Sequence, residues 1–449
     1  MANILILGAG KSSVFLIDYL VKATGKRGDT LFLADVSLDA AKEKLGDHSH
    51  TQAVELDIHD DRSREEMIKQ ADTVVSMLPP GLHPLIARDC VKYRKHFFSA
   101  SYQSGELKNM ASEVRARNLF FLNECGLDPG LDHMSAMNII DREKENNNEI
   151  LLLKSFCGGL LAPGSEKDNP WQYKFTWNPK NVILAGQGVS SFIRNGYYKF
   201  IPYHMLFRRT EKLDFPGLGT FEAYPNRDSL SYRKIYGLEN IPTILRGTVR
   251  RIGFCRSWDV FVQLGMTDDS YRLELPDGFT KRMFTNAFLP YDPSLRVEEK
   301  IRLLLPFVDD DILEKIAWTG LFSDERLQIS QGSPAGILQR ILEDKWRLDP
   351  EDKDLVLMQH LIEVRGEKTI KLINSSLVVK GEKQPYTAMA KTVGLPLGMA
   401  VEMFLEGKFE RRGLLLPTIK EIYLPILQKL EREGIRFEET VLERERTDV

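Results

Sequence analysis

The feature that most constrains the fold is a glycine-rich turn near the N-terminus, placed between an apolar strand and a helix. Residues 4–7 are apolar, Gly8 and Gly10 follow, and residues 14–21 continue with helical spacing. Gly8 allows a tight turn, and Gly10 lets the backbone approach a pyrophosphate at the helix N-terminus. The turn is completed by Lys11, Ser12 and Ser13. The pattern predicts a dinucleotide-binding turn; a strand–turn–helix without a nucleotide is the alternative.

An acidic residue ends the next apolar run. Asp35 follows residues 31–34, where dinucleotide-binding folds carry a carboxylate for the adenosine ribose. A carboxylate there accepts a bond from the ribose 2′-OH and repels a 2′-phosphate. No arginine follows Asp35, so the pattern favours NAD over NADP. Ser13 stands where the fingerprint usually has glycine or alanine, but it is small enough for the helix to pack on the strand.

Two later strand ends supply further cofactor candidates. Asp57 follows a third short run and is expected to border the adenine; a solvated turn carboxylate is the alternative. Leu78 and Pro79 follow the apolar run 73–77. They are expected to wall the nicotinamide ribose, and a plain strand-to-helix loop is the alternative.

The pattern of apolar runs predicts an α/β protein with two domains. Near-continuous apolar strands alternate with helices over residues 1–128, as in a Rossmann parallel sheet. Residues 129–385 are predicted to form a substrate-binding α/β domain with a mixed sheet and a helical insertion at about 295–350. Helices at 386–440 are expected to return to the Rossmann domain. The strand-like runs of the second domain are 150–156, 243–254, 260–264, 355–364 and 369–377.

Composition excludes several classes of protein. The 449 residues are 43% hydrophobic and 28% charged, with a formal net charge of −3, which argues against a nucleic-acid partner. No histidine–carboxylate cluster has metal spacing, so no metal is expected. No uncharged apolar stretch is long enough for a membrane span, so a cytoplasmic protein is predicted. The four cysteines are scattered without a CxxC pair, which argues against disulfides and structural zinc: Cys90, Cys125, Cys157 and Cys255.

Chemistry-bearing residues follow the later strands. Asp128 lies where the apolar run 119–122 leads into a Leu-Asp-Pro-Gly turn, and Tyr102 ends the preceding strand at the same carboxyl edge. Asp128 can alternatively cap a helix starting near Pro129, and Tyr102 can be a packing residue. Arg246 lies within an apolar strand and needs a partner. That partner is either a ligand carboxylate or a protein carboxylate such as Asp228.

An ordered series of motifs gives the chain a family resemblance over nearly its whole length. The series comprises Ser99–Tyr102, Asn123–His133, Ser155–Leu160, Asp168–Trp177, Tyr224–Ser229, Leu245–Thr248 and Lys391–Pro396. It resembles the saccharopine reductases, the glutamate-forming saccharopine dehydrogenases. The resemblance implies reduction of the imine of aminoadipate semialdehyde and glutamate to saccharopine by a nicotinamide cofactor, or the reverse oxidation.

The resemblance also assigns roles to residues. It implies that Asp128, Tyr102 and Cys157 line the active site. We expect Asp128 and Tyr102 to orient or protonate the amine and Cys157 to line the cleft. Cys157 is otherwise read as a small buried hydrophobic residue. Since saccharopine carries three carboxylates, arginines are expected to bind it bidentately. The substrate-binding candidates are Ser101, Gly158, Asn226, Arg227, Arg246 and Thr248.

Two other functions stay open on the sequence. One is a sister imine reductase, such as a carboxynorspermidine dehydrogenase, which needs fewer carboxylate-binding arginines. The other is a non-catalytic NAD-binding protein. The fungal enzymes of the family use NADP, whereas Asp35 favours NAD here. The expected partner is a small amino-acid substrate, and a homodimer is possible.

Overall fold

The computed structural model describes residues 1–445 and divides into two compact units. The first unit comprises Met1–Asn148 and Leu377–Glu438. The second comprises Glu149–Ser376 and the described residues from Glu439 onward. The first unit begins with alternating strands and helices: β1 (Asn3–Leu7), α1 (Val14–Arg27), β2 (Thr30–Asp35), α2 (Leu38–Leu45), β3 (Thr51–Glu55), α3 (Asp61–Gln70), β4 (Thr73–Ser76), α4 (His83–Lys92), β5 (His96–Ser99), α5 (Gly105–Asn109), α6 (Ala111–Ala116), β6 (Phe120–Leu122) and α7 (Leu131–Glu145).

The strands of the first unit form a parallel sheet in the order β6-β5-β4-β1-β2-β3. Every neighbouring pair is parallel, and the order reverses between β1 and β4, where Leu7 lies beside Ser76. Apolar side chains fill both faces; Leu5 lies on one face and Ile4 and Ile6 on the other, and all three are fully buried. The Rossmann sheet predicted from the apolar runs is confirmed. In such sheets ligands bind outside the carboxyl ends of the strands at the point of reversal.

The second unit contains more strands and a helical segment. Its elements are β7 (Glu149–Leu161), α8 (Pro179–Ile183), β8 (Val189–Arg194), β9 (Tyr197–Pro202), α9 (Tyr203–Leu206), β10 (Glu211–Phe215), β11 (Gly219–Pro225), α10 (Tyr232–Ile235), β12 (Thr243–Arg251), α11 (Phe254–Gln263), β13 (Leu273–Glu274), α12 (Lys281–Asn286), α13 (Val297–Leu304), α14 (Asp310–Trp318), β14 (Gln331–Gly332), α15 (Pro334–Trp346), β15 (Asp354–Arg365) and β16 (Thr369–Lys380). The helical insertion predicted at about 295–350 corresponds to α13, α14 and α15.

The main sheet of the second unit is mixed, as predicted. Its order is β10-β11-β12-β7-β15-β16, with β8 paired to β12 and β9. The central strand β7 is parallel to β12 and antiparallel to β15. The strand predicted at residues 260–264 is wrong, because α11 covers Val260. Phe254, Trp258 and Phe261 recur at helical spacing and are all buried, so the apolar run is one face of a helix.

The C-terminal elements belong mostly to the first unit. They are α16 (Ala388–Leu405), β17 (Gly413–Leu415), α17 (Lys420–Arg432) and β18 (Glu438–Glu445). β17 adds a parallel seventh strand beside β6, whereas β18 extends the sheet of the second unit at β16. α17 packs against α7, so the first unit runs to Asn148 and not only to the expected boundary at residue 128.

α16 is a long apolar helix that packs against α1. A side chain at Gly394 would meet the backbone nitrogen of Leu16 at 2.7 Å, so glycine permits this close approach. Within residues 1–445, α16 is the one helix long and apolar enough to cross a membrane, and 72% of that stretch is buried inside the protein. Such burial is typical of a core helix.

Candidate active site

The glycine turn lies at the carboxyl end of β1. Gly8 has a φ of +103°, which favours glycine, and a side chain there would lie 3.2 Å from the carbonyl of Met77. Gly10 has an ordinary φ of −69°, and no atom lies within 4 Å of the place a side chain would occupy. Ser13 is buried and donates its hydroxyl to the Gly10 carbonyl at 2.8 Å. The turn therefore leaves open space in front of Gly10, as an approaching pyrophosphate requires.

Asp35, the last residue of β2, hydrogen-bonds to the backbone of this turn. Its Oδ2 accepts the backbone N–H of Ala9 at 2.7 Å, and its Oδ1 accepts that of Ser37 at 3.0 Å. The carboxylate thus stands beside the glycine turn, where the fingerprint places the adenosine ribose. Lys11 is exposed and Ser12 half-buried on the same turn.

The other cofactor candidates differ in their surroundings. The backbone nitrogen of Leu78 lies 3.5 Å from a side chain built at Gly8, so the loop after β4 borders the glycine turn. Pro79 follows it and is exposed. Asp57 is exposed, and its Oδ1 accepts the N–H of His59 at 2.9 Å within a turn. The adenine role of Asp57 stays a prediction.

A phenol–carboxylate pair lies further along the same sheet edge. The Tyr102 hydroxyl donates to Asp128 Oδ1 at 2.7 Å. Tyr102 is 38% exposed and Asp128 is half-buried, so solvent or a ligand can reach the pair. The helix after Asp128 begins at Leu131, and Asp132 accepts the N–H of Gly130 at its start at 2.6 Å. The structure therefore brings together two of the predicted catalytic residues.

Glu124 holds the backbone on both sides of Tyr102. Its N–H donates to the Ser101 carbonyl at 3.0 Å, and its Oε1 accepts the N–H of Gln103 at 3.0 Å. Its Oε2 lies 3.0 Å from Nε2 of the fully buried His133. Glu124 was not among the predicted site residues. The signal for it was an acidic residue two positions after an apolar strand, at the carboxyl edge.

A second buried histidine supports the start of the same loop. His83 Nε2 lies 2.8 Å from the Ser101 hydroxyl, and its Nδ1 lies 2.9 Å from the Ser76 hydroxyl. The Ser99 hydroxyl accepts the N–H of Ser101 at 3.0 Å. Burial lowers the pKa of His83 to about 4, so the ring is neutral at physiological pH. His83 was not among the predicted site residues either. Its two partners, Ser76 and Ser101, follow different strands, and the sequence does not show that these strand ends are close.

The substrate candidates of the second unit share one face of its sheet. Thr248 pairs with Cys157 across the parallel strands β12 and β7, and Arg246 pairs with Ser155 two residues earlier. Side chains two apart on a strand point the same way, so Arg246, Thr248 and Cys157 lie on one face. Cys157 and Arg246 are each only 7% exposed.

Gly158 follows Cys157 on β7 and faces the opposite way. A side chain there would meet the Val249 carbonyl oxygen at 2.5 Å. Glycine at 158 is therefore explained by the close packing of β7 against β12.

Arg246 is surrounded by the loop that precedes β12. Its guanidinium lies 4.2 Å from the ring centroid of Tyr232, and its backbone N–H donates to the Ser229 hydroxyl at 2.9 Å. The N–H of Asn226 donates to the Arg246 carbonyl at 2.7 Å. The alternative partner, Asp228, accepts bonds from Ser191 and from two backbone N–H groups of its own turn: Leu230 and Ser231.

Arg227 is exposed and lies in the same loop. Its positive φ of 24° marks a sharp change in backbone direction there. Its carbonyl accepts the N–H of Ser191 at 2.8 Å. Burial raises the pKa of the neighbouring Tyr224, and the positive charges of Arg250 and Arg227 oppose that shift. Arg227 therefore contributes positive potential near Tyr224, which pairs with Thr248.

A second arginine on the face that carries Arg246 was not predicted. Arg250 is fully enclosed, with its guanidinium 5.2 Å from the ring centroids of Tyr173 and Phe254 and 5.8 Å from that of Tyr224. It donates to the Val249 carbonyl at 3.0 Å. The signal for it was an arginine four residues after Arg246 on one strand, a spacing that returns to the same face.

Comparisons with known proteins match two domains of one family to this chain. Residues 4–120 match the saccharopine dehydrogenase NADP binding domain, and residues 126–435 match the saccharopine dehydrogenase C-terminal domain. The chain is 33% identical over 446 residues to the mitochondrial alpha-aminoadipic semialdehyde synthase of Mus musculus, covering 97% of this chain and 47% of the relative. The chain thus spans about half the length of this mammalian relative.

Fungal relatives are matched over their full length. The saccharopine dehydrogenase [NADP(+), L-glutamate-forming] of Schizosaccharomyces pombe is 28% identical over 456 residues, covering 99% of this chain and 100% of the relative. The solved apo structure of the L-Glu-forming saccharopine dehydrogenase of Saccharomyces cerevisiae has a TM-score of 0.88 at 28% identity, covering 98% of this chain and 100% of that one.

A more distant structure shares the fold alone. It is a homospermidine synthase of Legionella pneumophila in complex with NAD, with a TM-score of 0.55 at 9% identity, covering 98% of this chain and 91% of that one. The two family domains follow one another over residues 4–435, in the same order as the parallel and mixed sheets. The chain therefore belongs to the saccharopine dehydrogenase family.

Proposed function

We propose that the protein is a nicotinamide-dependent saccharopine dehydrogenase that forms L-glutamate. It would interconvert saccharopine with aminoadipate semialdehyde and glutamate through an imine. The observation that carries the proposal is the Tyr102–Asp128 pair, 2.7 Å apart on the sheet edge that also carries the glycine turn. Relatives named for this activity support it.

The residues of the first unit suit the proton transfers of this reaction. A dinucleotide held at Gly8, Gly10 and Asp35 would supply or accept the hydride. Tyr102 donates to Asp128 and so favours the ionised carboxylate, which can take the proton that the secondary amine releases. Glu124 fixes the backbone on both sides of Tyr102, so the phenol is held in place before substrate binds.

The residues of the second unit suit an anionic substrate. Arg246 and Arg227 supply guanidinium groups that can pair with substrate carboxylates. Thr248 and Asn226 offer neutral hydrogen bonds, and Cys157 presents a thiol on the face that carries Arg246. A sister imine reductase would need fewer of these cations.

Asp35 supports NAD as a cofactor, whereas the family description and the fungal names support NADP. We propose that the site takes a nicotinamide dinucleotide at Gly8, Gly10 and Asp35. A cytoplasmic location and a homodimer stay predictions.

The decisive experiment follows reduced nicotinamide by its absorbance with purified protein, saccharopine and either NAD or NADP. Turnover with at least one cofactor is expected. Dinucleotide binding without turnover of saccharopine would transfer the assignment to a sister imine reductase. A protein that neither binds a dinucleotide nor turns saccharopine over would exclude the non-catalytic NAD-binding alternative as well.

A further inference from the structure

A lysine approaches the glycine turn from the second helix. Lys44 lies on the last turn of α2, and its ammonium donates to the Gly10 carbonyl and to the Ser13 hydroxyl, the latter at 3.2 Å. Both acceptors are neutral oxygens. Lys44 therefore places a positive charge on the turn that the fingerprint assigns to the dinucleotide.

The charge of Lys44 is incompletely compensated. Among residues 1–445, no carboxylate lies within ion-pair distance of its ammonium. Burial lowers the pKa of Lys44, and the attraction of Asp35 and of Glu43 opposes that shift. The Asp35 oxygens accept the N–H groups of Ala9 and Ser37. A half-buried ammonium on neutral acceptors is stabilised when an anion arrives, because the anion replaces the lost hydration.

We propose that Lys44 binds the adenosine 2′-phosphate of NADP, so that the site accepts NADP as well as NAD despite Asp35. This proposal rests on the proposed dinucleotide function. Lys44 contacts Gly10, at the pyrophosphate turn, and lies within electrostatic reach of Asp35, at the expected ribose position. A 2′-phosphate extends from that ribose. Asp35 alone would repel it, and Lys44 supplies the opposing charge.

The test measures binding without substrate. Isothermal titration of the purified protein with NAD and with NADP gives both dissociation constants for the wild type, for Lys44→Gln and for Lys42→Gln. Lys42 is an exposed lysine on the same helix and serves as the control. Lys44→Gln is expected to weaken NADP binding on the order of tenfold, with NAD binding changed less than about threefold. Lys44→Arg should keep most of the NADP affinity.

The outcomes separate this proposal from the one on which it rests. Equal loss of NAD and NADP would assign Lys44 to the shared pyrophosphate and overturn the proposal, as would an unchanged NADP affinity. A wild type that binds NAD but no NADP would also overturn it, while the dinucleotide function stands. A wild type that binds neither would remove the dinucleotide function itself. Melting temperatures of all variants check that each one is folded.

Discussion

The sheet edge of the first unit and the β12 face of the second hold their polar groups by opposite means. At the sheet edge, His83 lies between serine hydroxyls and Tyr102 donates to Asp128. On the β12 face, the guanidinium groups of Arg246 and Arg250 lie 4.2 and 5.2 Å from aromatic ring centroids. A hydrogen-bonded edge of titratable groups suits proton transfer, whereas permanent cations suit anion binding.

The largest effect is expected from Asp128→Asn, because an amide cannot take the amine proton. The rate kcat is expected to fall by about 10²–10⁴-fold, the usual contribution of a general acid–base group. The binding of dinucleotide should change little. Steady-state kinetics and dinucleotide titration measure the two quantities.

Tyr102→Phe provides the matched partner variant. If the pair acts as one unit, the double variant should lose little more activity than Asp128→Asn alone. Fully additive losses would show that the 2.7 Å bond has no role in the reaction.

The pH dependence of stability tests the neutral state of His83. Its folded pKa is about 4 against an ordinary 6.5. Between pH 6.5 and about 4, His83 is protonated in the unfolded chain but neutral in the folded protein. The free energy of unfolding therefore falls as pH drops from 6.5 to about 4. The loss attributable to this group is roughly 3 kcal/mol.

Urea unfolding at several pH values checks this expectation. His83→Gln should flatten the slope, whereas His48→Gln, at an exposed histidine, should leave it unchanged. Part of the slope should remain in His83→Gln, because burial, with the charge of Arg412, also lowers the pKa of His96 to about 4. An identical slope in wild type and His83→Gln would show that folding does not lower the pKa of His83.

A smaller effect, confined to substrate binding, is expected from Arg246→Met. Loss of a charge-assisted carboxylate contact should raise the KM for saccharopine by about 10–100-fold. Dinucleotide affinity should stay unchanged. Lys234→Met, at an exposed residue of α10, is the control. If Arg246→Met keeps the KM of the wild type, Arg246 has a structural role and does not bind substrate. The β12 face would then no longer differ from the sheet edge as a site of anion binding.

Local signals in the sequence predicted much of this arrangement. Gly8, Gly10 and Asp35 were placed correctly at the first sheet edge, because the turn, the helix start and the strand end are fixed by short-range chemistry. The apolar runs gave the parallel sheet for the same reason. The run at Val260 was misread, because short apolar stretches fit both a strand and a buried helix.

The residues that sequence reasoning missed depend on contacts between distant segments. His83 contacts Ser101 only because β4 and β5 are neighbours in register, and Glu124 reaches the same loop from β6. Arg250 could have been inferred from strand alternation, but its aromatic surroundings come from Tyr173 and Phe254, which lie on other segments. Such partners are set by strand register and packing, and periodicity does not encode them.

Two glycines give the finest test of the contrast. A side chain at Gly158 would meet the Val249 carbonyl oxygen at 2.5 Å, so Gly158→Ala must push β7 away from β12 and should cost about 1–3 kcal/mol of stability. Gly10 has no atom within 4 Å and an ordinary φ, so Gly10→Ala should leave the melting temperature unchanged. It should instead weaken dinucleotide binding, because the new methyl group occupies the space that the pyrophosphate needs. A Gly10→Ala protein that melts early but binds dinucleotide normally would show that Gly10 serves packing, as Gly158 does, and not the approach of a ligand.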